Sequence, residues 1–202
     1  GMFETIKYAK LPFSKLIEPA IDLAAKGFAI TEQEAGLLNS HKQDFLKHNK
    51  NKIAFVKDQN WKAGDLLIQP ELAETLKRIQ KVGEKEFYEG RTSQLIVSEM
   101  KNGNGIIQSQ DLKNYKAKER KPLVFDYKGH QIVSMPMPSS GGTLLAQMLK
   151  MASYEDLSKY QLNSEEAVQI MVEAERRAYA DRAEYMGDPD FIEDKTTMLI
   201  SD

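Results

Sequence analysis

The chain has 202 residues, 41% hydrophobic and 29% charged, with 28 Lys+Arg against 30 Asp+Glu and a formal charge of −2. That is the composition of a folded chain, and it lacks the excess positive charge that drives binding to nucleic acid or to an anionic membrane. Cysteine is absent, which excludes disulfides, thiolate zinc sites, Fe–S clusters and thiol nucleophiles, and no apolar run approaches the ~20 residues of a membrane-spanning helix.

In chain order, the first half reads as short helices. Pro19 fits a first helical turn, Ala20, Ile21, Leu23 and Ala24 follow, and Gly27 stops the helix, with Pro12 and Phe13 packing ahead of it. Thr31 and Glu34 form a capping box, and Ala35, Leu38, Phe45 and Leu46 give one apolar stripe on a single helix. The polar run His48–Lys52 is a loop, Ile53–Val56 is short and β-prone, and Lys62–Asp65 is a turn. Pro70 starts a helix with Leu72, Leu76 and Ile79 inward and Gly83 past its end. A further helical stretch covers about Glu84–Met100 with Gly90 interrupting it, Asn102–Gly105 is a loop, and Ser109 caps a short helix through Leu112 and Tyr115.

After Pro122 the pattern changes. Leu123–Tyr127 and Gln131–Met135 are strand-like, and Lys128-Gly129 supplies a hairpin turn between them. Met135–Gly142 forbids regular structure, Thr143–Ala152 returns to helix, and a long helix runs from about Ser164 to Met186 before the stop Gly187-Asp-Pro189. The fold class is α+β, mainly helical with at least one β-hairpin, without internal repeats. No signal peptide heads the chain, and Gly1 before Met2 looks like a cloning remnant, so residues 1–10 are read as remnant or linker.

Four groups of residues carry potential chemistry. His41, Asp44 and His48 lie at i, i+3 and i+7, where they either ligate a divalent metal or form a solvated helix face. Ser139-Ser-Gly-Gly142 before a helix either cradles an anion or makes a tight turn and cap, and no local base serves a nucleophilic serine. Gly103-Asn-Gly105 does not continue into a dinucleotide fingerprint, because position 108 is Gln. On the long helix, Val168, Met171, Val172, Ala178, Tyr179 and Met186 read as a core stripe that also holds Glu175 and Arg182. A charge there must be paired, so the helix is either pinned to a neighbour by an ion pair or offers Asp181 or Arg182 to a polar cleft.

Taken together, Pro138-Ser-Ser-Gly-Gly142, Glu173-Ala-Glu-Arg-Arg-Ala-Tyr-Ala-Asp-Arg182 and Gly187-Asp-Pro-Asp-Phe191 resemble γ-glutamyltransferase (glutathione hydrolase). Leu11-Pro-Phe, Pro19–Ala24, Lys62–Leu67, Leu76–Ile79, Phe87–Gly90, Asp111-Leu112 and Asn114-Tyr115 fit the same family in the same order, from about Leu11 to Phe191. Met137 departs from the family's usual third proline.

The resemblance implies an N-terminal-nucleophile hydrolase, with two central sheets between helical layers (αββα). It implies a precursor that cuts itself and frees an N-terminal threonine, whose α-amine serves as base for attack on a γ-glutamyl amide. Within that frame residues 11–202 correspond to the C-terminal part of the large subunit, one incomplete domain. The arginine that holds the substrate's α-carboxylate is expected upstream, and the threonine and small subunit downstream. Thr196-Thr197 is a decoy, followed by Met198 where the family pattern has histidine after Thr-Thr or Thr-Ser. No catalytic, cofactor-binding or metal-binding residue is therefore carried over to any position, and no cofactor is expected.

The expected partners are the small subunit of the same precursor and, for the parent, a γ-glutamyl substrate with glutathione as default. The isolated chain is expected to be inactive and to self-associate through exposed apolar surface. Bacterial members are commonly periplasmic or extracellular. Two alternatives stand beside this reading: a non-enzymatic helical binding module, and cephalosporin acylase-like chemistry within the same family.

Overall fold

The computed structural model describes residues 1–201 and divides the chain into two compact units, Gly1–Ala117 and a second from Lys118 on. The first unit contains α1 (Met2–Thr5), α2 (Phe13–Leu16), α3 (Glu18–Lys26), β1 (Phe28–Ala29), α4 (Glu32–Ser40), α5 (Lys42–His48), β2 (Leu66–Leu67), α6 (Pro70–Val82), α7 (Glu84–Tyr88), α8 (Arg91–Asn102) and α9 (Ser109–Asn114). Pro19 and Pro70 sit in first turns, where the missing N–H costs nothing, and Gly27 and Gly83 end α3 and α6 with φ of +81° and +84°. Ile17, Ile21 and Ile79 bury together where α3 meets α6, with Phe3, Phe13 and Leu76 around them. Phe3 and Phe13 lie 4.5 Å apart between ring centroids.

The second core of this unit joins Ile30, Ala35, Trp61 and Leu67, with Leu38 packed against it. Asn39 closes it by exchanging two hydrogen bonds with the Trp61 backbone, 2.8 Å from the N–H and 3.0 Å to the carbonyl. The capping box forms as expected, with the Thr31 N–H donating to Glu34 at 2.7 Å and the Glu34 N–H to Thr31 Oγ1 at 3.2 Å. The single helix expected through Leu46 is instead two. His41, at φ −92° and ψ 5°, breaks it, and Leu46 is exposed.

Other differences are local. Ile53–Val56 is not a strand but a turn, closed by the Val56 N–H to Ile53 carbonyl bond at 3.1 Å. The two-residue strands β1 and β2 pair antiparallel and are too short to show alternation in the sequence. Leu72 faces solvent, and Ala73 takes the buried position beside it. Gln108, not Ser109, precedes α9, and its N–H donates to Asp111 at 2.8 Å.

The second unit contains β3 (Leu123–Tyr127), β4 (His130–Ser134), α10 (Gly141–Ala152), α11 (Glu165–Tyr185) and α12 (Thr196–Leu199). The hairpin forms with Leu123 opposite Ser134 and Tyr127 opposite His130, and its strand β4 starts one residue earlier than expected. Lys128 and Gly129 both take positive φ, +46° and +79°, the twist that suits a two-residue turn between strands. Phe125 is buried where β3 meets α10, while Val124 and Val133, paired across the strands, remain exposed. Helix α10 begins at Gly141, so the irregular segment is two residues shorter than the sequence implied.

Candidate functional site

The Ser139–Gly142 segment is positioned by a turn and a helix start. The Ser139 N–H donates to the Pro136 carbonyl at 3.1 Å, and the Ser140 carbonyl accepts from the Leu144 N–H at 2.9 Å, closing the first turn of α10. Gly142 lies against β4's exit: a Cβ there would stand 2.2 Å from the Met135 carbonyl oxygen, closer than any side chain tolerates. The glycine is required for close packing of backbone on backbone.

Helix α11 reaches this segment from its far end. Arg182 Nε donates to Ser140 Oγ at 3.1 Å. Further along α10, Gln147 Nε2 donates to Asp181 Oδ2 at 2.6 Å, and the buried Gln147 Oε1 has no hydrogen-bond partner among the described residues. Asp181 and Gln147 line a cavity of about 350 Å³ with Lys150, Arg177, Leu199 and Ser201. Of the two cleft candidates, Asp181 thus lines a hollow with mixed polar and apolar walls, whereas Arg182 is exposed and spans to the serine turn.

The core stripe expected on α11 is overturned. The buried residues of this helix are Ala167, Ala174 and Ala178, and only Ala178 belongs to the expected stripe. Val168, Met171, Val172 and Tyr179 are exposed, as is Glu175. Small side chains let α11 approach α10 closely, and the larger apolar ones lie on a different flank. Glu175 and Arg182, both exposed, therefore have no core burial for a partner to offset.

Thr196 opens α12, with its N–H bonded to Asp194 at 2.9 Å and its hydroxyl 3.5 Å from that of the fully buried Thr143. In the first unit, His41 Nδ1 pairs with Asp44 at 3.3 Å, but no group of three His, Asp or Glu residues gathers to hold a metal among the described residues. Gly105 turns back onto its own helix, its N–H donating to the Met100 carbonyl at 2.6 Å, so the loop at 102–105 packs locally.

Sequence reasoning missed one buried ionic cluster. Glu86, 6% exposed, accepts at Oε1 from Arg78 Nε at 2.9 Å, from the Thr92 N–H at 3.2 Å and from Thr92 Oγ1 at 3.1 Å. Burial pushes its carboxyl pKa up, but the Arg78 guanidinium and the Thr92 donors outweigh it and hold the group below the ordinary 4.5. Gly90 leaves room for this carboxylate: a Cβ there would meet Glu86 Oε2 at 2.4 Å. Lys118 and Arg120 bind Asp190 in the Gly-Asp-Pro-Asp stop, tying the entry of the hairpin to the segment after α11.

Residues 3–202 match the family model described as Gamma-glutamyltranspeptidase. The chain is 43% identical over 188 residues to the glutathione hydrolase proenzyme of Escherichia coli K12, which takes in 92% of this chain and 32% of that protein. The crystal structure of Helicobacter pylori gamma-glutamyltranspeptidase superposes with a TM-score of 0.93 at 42% identity, over 100% of this chain and 58% of that one. Similarity extends to the Acylase ACY 1 proenzyme of Pseudomonas sp. V22, 31% identical over 96% of this chain and 35% of that protein. The chain spans about a third of the length of the curated relatives it matches.

Proposed function

This chain belongs to the gamma-glutamyltranspeptidase family, and from that premise we propose that it is the C-terminal part of the large subunit of a precursor that hydrolyses or transfers γ-glutamyl groups. The observation that carries the reading is the family match over residues 3–202, nearly the whole chain. Glutathione is the default substrate, as the name of the Escherichia coli relative suggests. The fold of the parent is the αββα sandwich of N-terminal-nucleophile hydrolases, to which this chain contributes the β3–β4 hairpin and the α10–α11 pair.

The chemistry needs a threonine with a free α-amine. That amine takes the hydroxyl proton, Oγ attacks the γ-glutamyl carbonyl, and the tetrahedral adduct collapses to an ester as the C–N bond breaks and the leaving amine takes up the proton. Water, or an acceptor amino acid, then attacks the ester. Backbone amides aimed at the developing oxyanion lower both barriers. Among the described residues, Ser140 bonds an arginine rather than a base, and the Thr196 amide is held in a helix start. We therefore assign the nucleophile to a part of the precursor outside residues 1–202, and the isolated chain is inactive.

An acylase-like specificity is the second reading, which we rank behind because identity to the acylase is lower, 31% against 43%. The test is release of p-nitroaniline from γ-glutamyl-p-nitroanilide, with and without glycylglycine, by the full precursor and by this chain alone. Release by the precursor, accelerated by the dipeptide and absent from the chain alone, supports the proposal. A precursor that cleaves only an acyl side chain from a cephalosporin supports the second reading.

A further inference from the structure

Helix α11 has three flanks. Ala167, Ala174 and Ala178 are buried on the flank that packs on α10. Glu173 binds Arg176 and Arg177, each at 2.7 Å, on a solvated flank. The third flank carries Val168, Met171, Val172 and Tyr179, which are 40, 45, 50 and 56% exposed. Their spacing places them on one side of the helix, with Glu175 in their midst. A helix that is apolar on two flanks of three has the pattern of an element covered from both.

We propose that the Val168–Tyr179 flank of α11 is the docking surface for the part of the precursor that this chain does not span, and that this partner meets it with an apolar face carrying a basic or amide donor for Glu175. The proposal rests on the reading of the chain as a section of a larger precursor. That reading supplies the occupant, because this chain corresponds to only 32% of the Escherichia coli relative. A second copy of the chain fits less well. A two-fold contact between identical flanks sets Glu175 close to its own copy, and like charges in an apolar contact oppose each other.

The chain has no cysteine, so Val172→Cys introduces a probe of this flank, with Arg177→Cys as the control on the solvated one, well round the helix from position 172. Each is placed in the full precursor and in the isolated chain, and maleimide labelling of the tagged peptide is followed by mass spectrometry. The expected result is that the thiol introduced by Val172→Cys reacts on the order of tenfold more slowly in the precursor than in the isolated chain, while the control thiol reacts equally in both. A photoreactive residue at position 172 in the precursor then crosslinks to polypeptide outside residues 1–202. Equal labelling rates, or crosslinks to a second copy of residues 1–202, overturn the proposal. Activity toward a γ-glutamyl anilide is measured alongside. An active precursor in which the Val172→Cys thiol is unprotected sinks the docking surface alone. A protected thiol in a precursor without γ-glutamyl activity sinks the reading of function alone.

Discussion

Arg182 Nε donates to Ser140 Oγ at 3.1 Å, across 42 positions of sequence, so the last turns of α11 hold the residue that introduces α10. The bond is exposed, so its contribution is modest. Arg182→Gln and Ser140→Ala should each lower stability by about 0.5–1 kcal/mol, and the double variant should lose little more than the larger single loss. Urea denaturation of the four proteins checks this; fully additive losses would show that the two side chains act independently.

Gly141 and Gly142 are neighbours with opposite requirements. A Cβ on Gly142 collides with the Met135 carbonyl at 2.2 Å, whereas one on Gly141 meets only Ser139 Oγ at 3.7 Å, an ordinary contact. Gly142→Ala should cost about 2 kcal/mol or more, because backbone must move to admit it. Gly141→Ala, in the first turn of a helix, should be neutral or stabilising by up to about 1 kcal/mol. Thermal melts of the two variants should move in different directions or by clearly different amounts.

Glu86 gives the first unit an acid-sensitive element. Its folded pKa lies below the ordinary 4.5, so its stabilisation is complete above that value and is lost as pH falls through the lower folded one. Glu86→Gln leaves Arg78 without its buried partner and should cost about 3 kcal/mol at neutral pH. The gap between the variant and the parent chain should narrow on acidification below 4.5. Urea midpoints at neutral and acidic pH measure it, and a gap that stays constant would mean that the carboxylate charge is not what stabilises the cluster.

Trp61 is the only tryptophan of the chain, and it lies in the first unit. Its indole N–H donates to the Phe55 carbonyl at 2.9 Å while Asn39 holds its backbone on both sides. Asn39→Ala strips two partners from the Trp61 backbone and should destabilise this unit by about 2 kcal/mol. Tryptophan fluorescence should report that loss at lower urea than in the parent, and an unchanged midpoint would show that the Asn39 bridge is dispensable.

What the sequence made legible was local chemistry. The Thr31–Glu34 box, the prolines that open α3 and α6, and the Lys128-Gly129 turn are each decided within a few residues, and the structure has them. Tertiary choices were less legible. Leu72 and the Val168–Tyr179 stripe satisfy helical periodicity, yet alanines took the buried positions because helix α10 and helix α3 come close enough to exclude larger groups. His41 broke a helix whose apolar spacing continued past it. Of the candidate sites, the serine turn and Asp181 proved to be linked to neighbouring elements, but by Arg182 and Gln147, contacts that bring together residues more than thirty positions apart. Buried Glu86 was hidden because nothing in its spacing distinguishes it from a solvated helical glutamate.

We propose that the nucleophile of this family's reaction lies outside residues 1–202. Mass spectrometry and N-terminal sequencing of the matured full precursor test it most directly. The expected result is one cleavage that creates a new N-terminal threonine beyond residue 202, leaving residues 1–202 within the other product. A new N-terminus at Thr196 or Thr197, or γ-glutamyl transfer by an uncleaved chain, would contradict it.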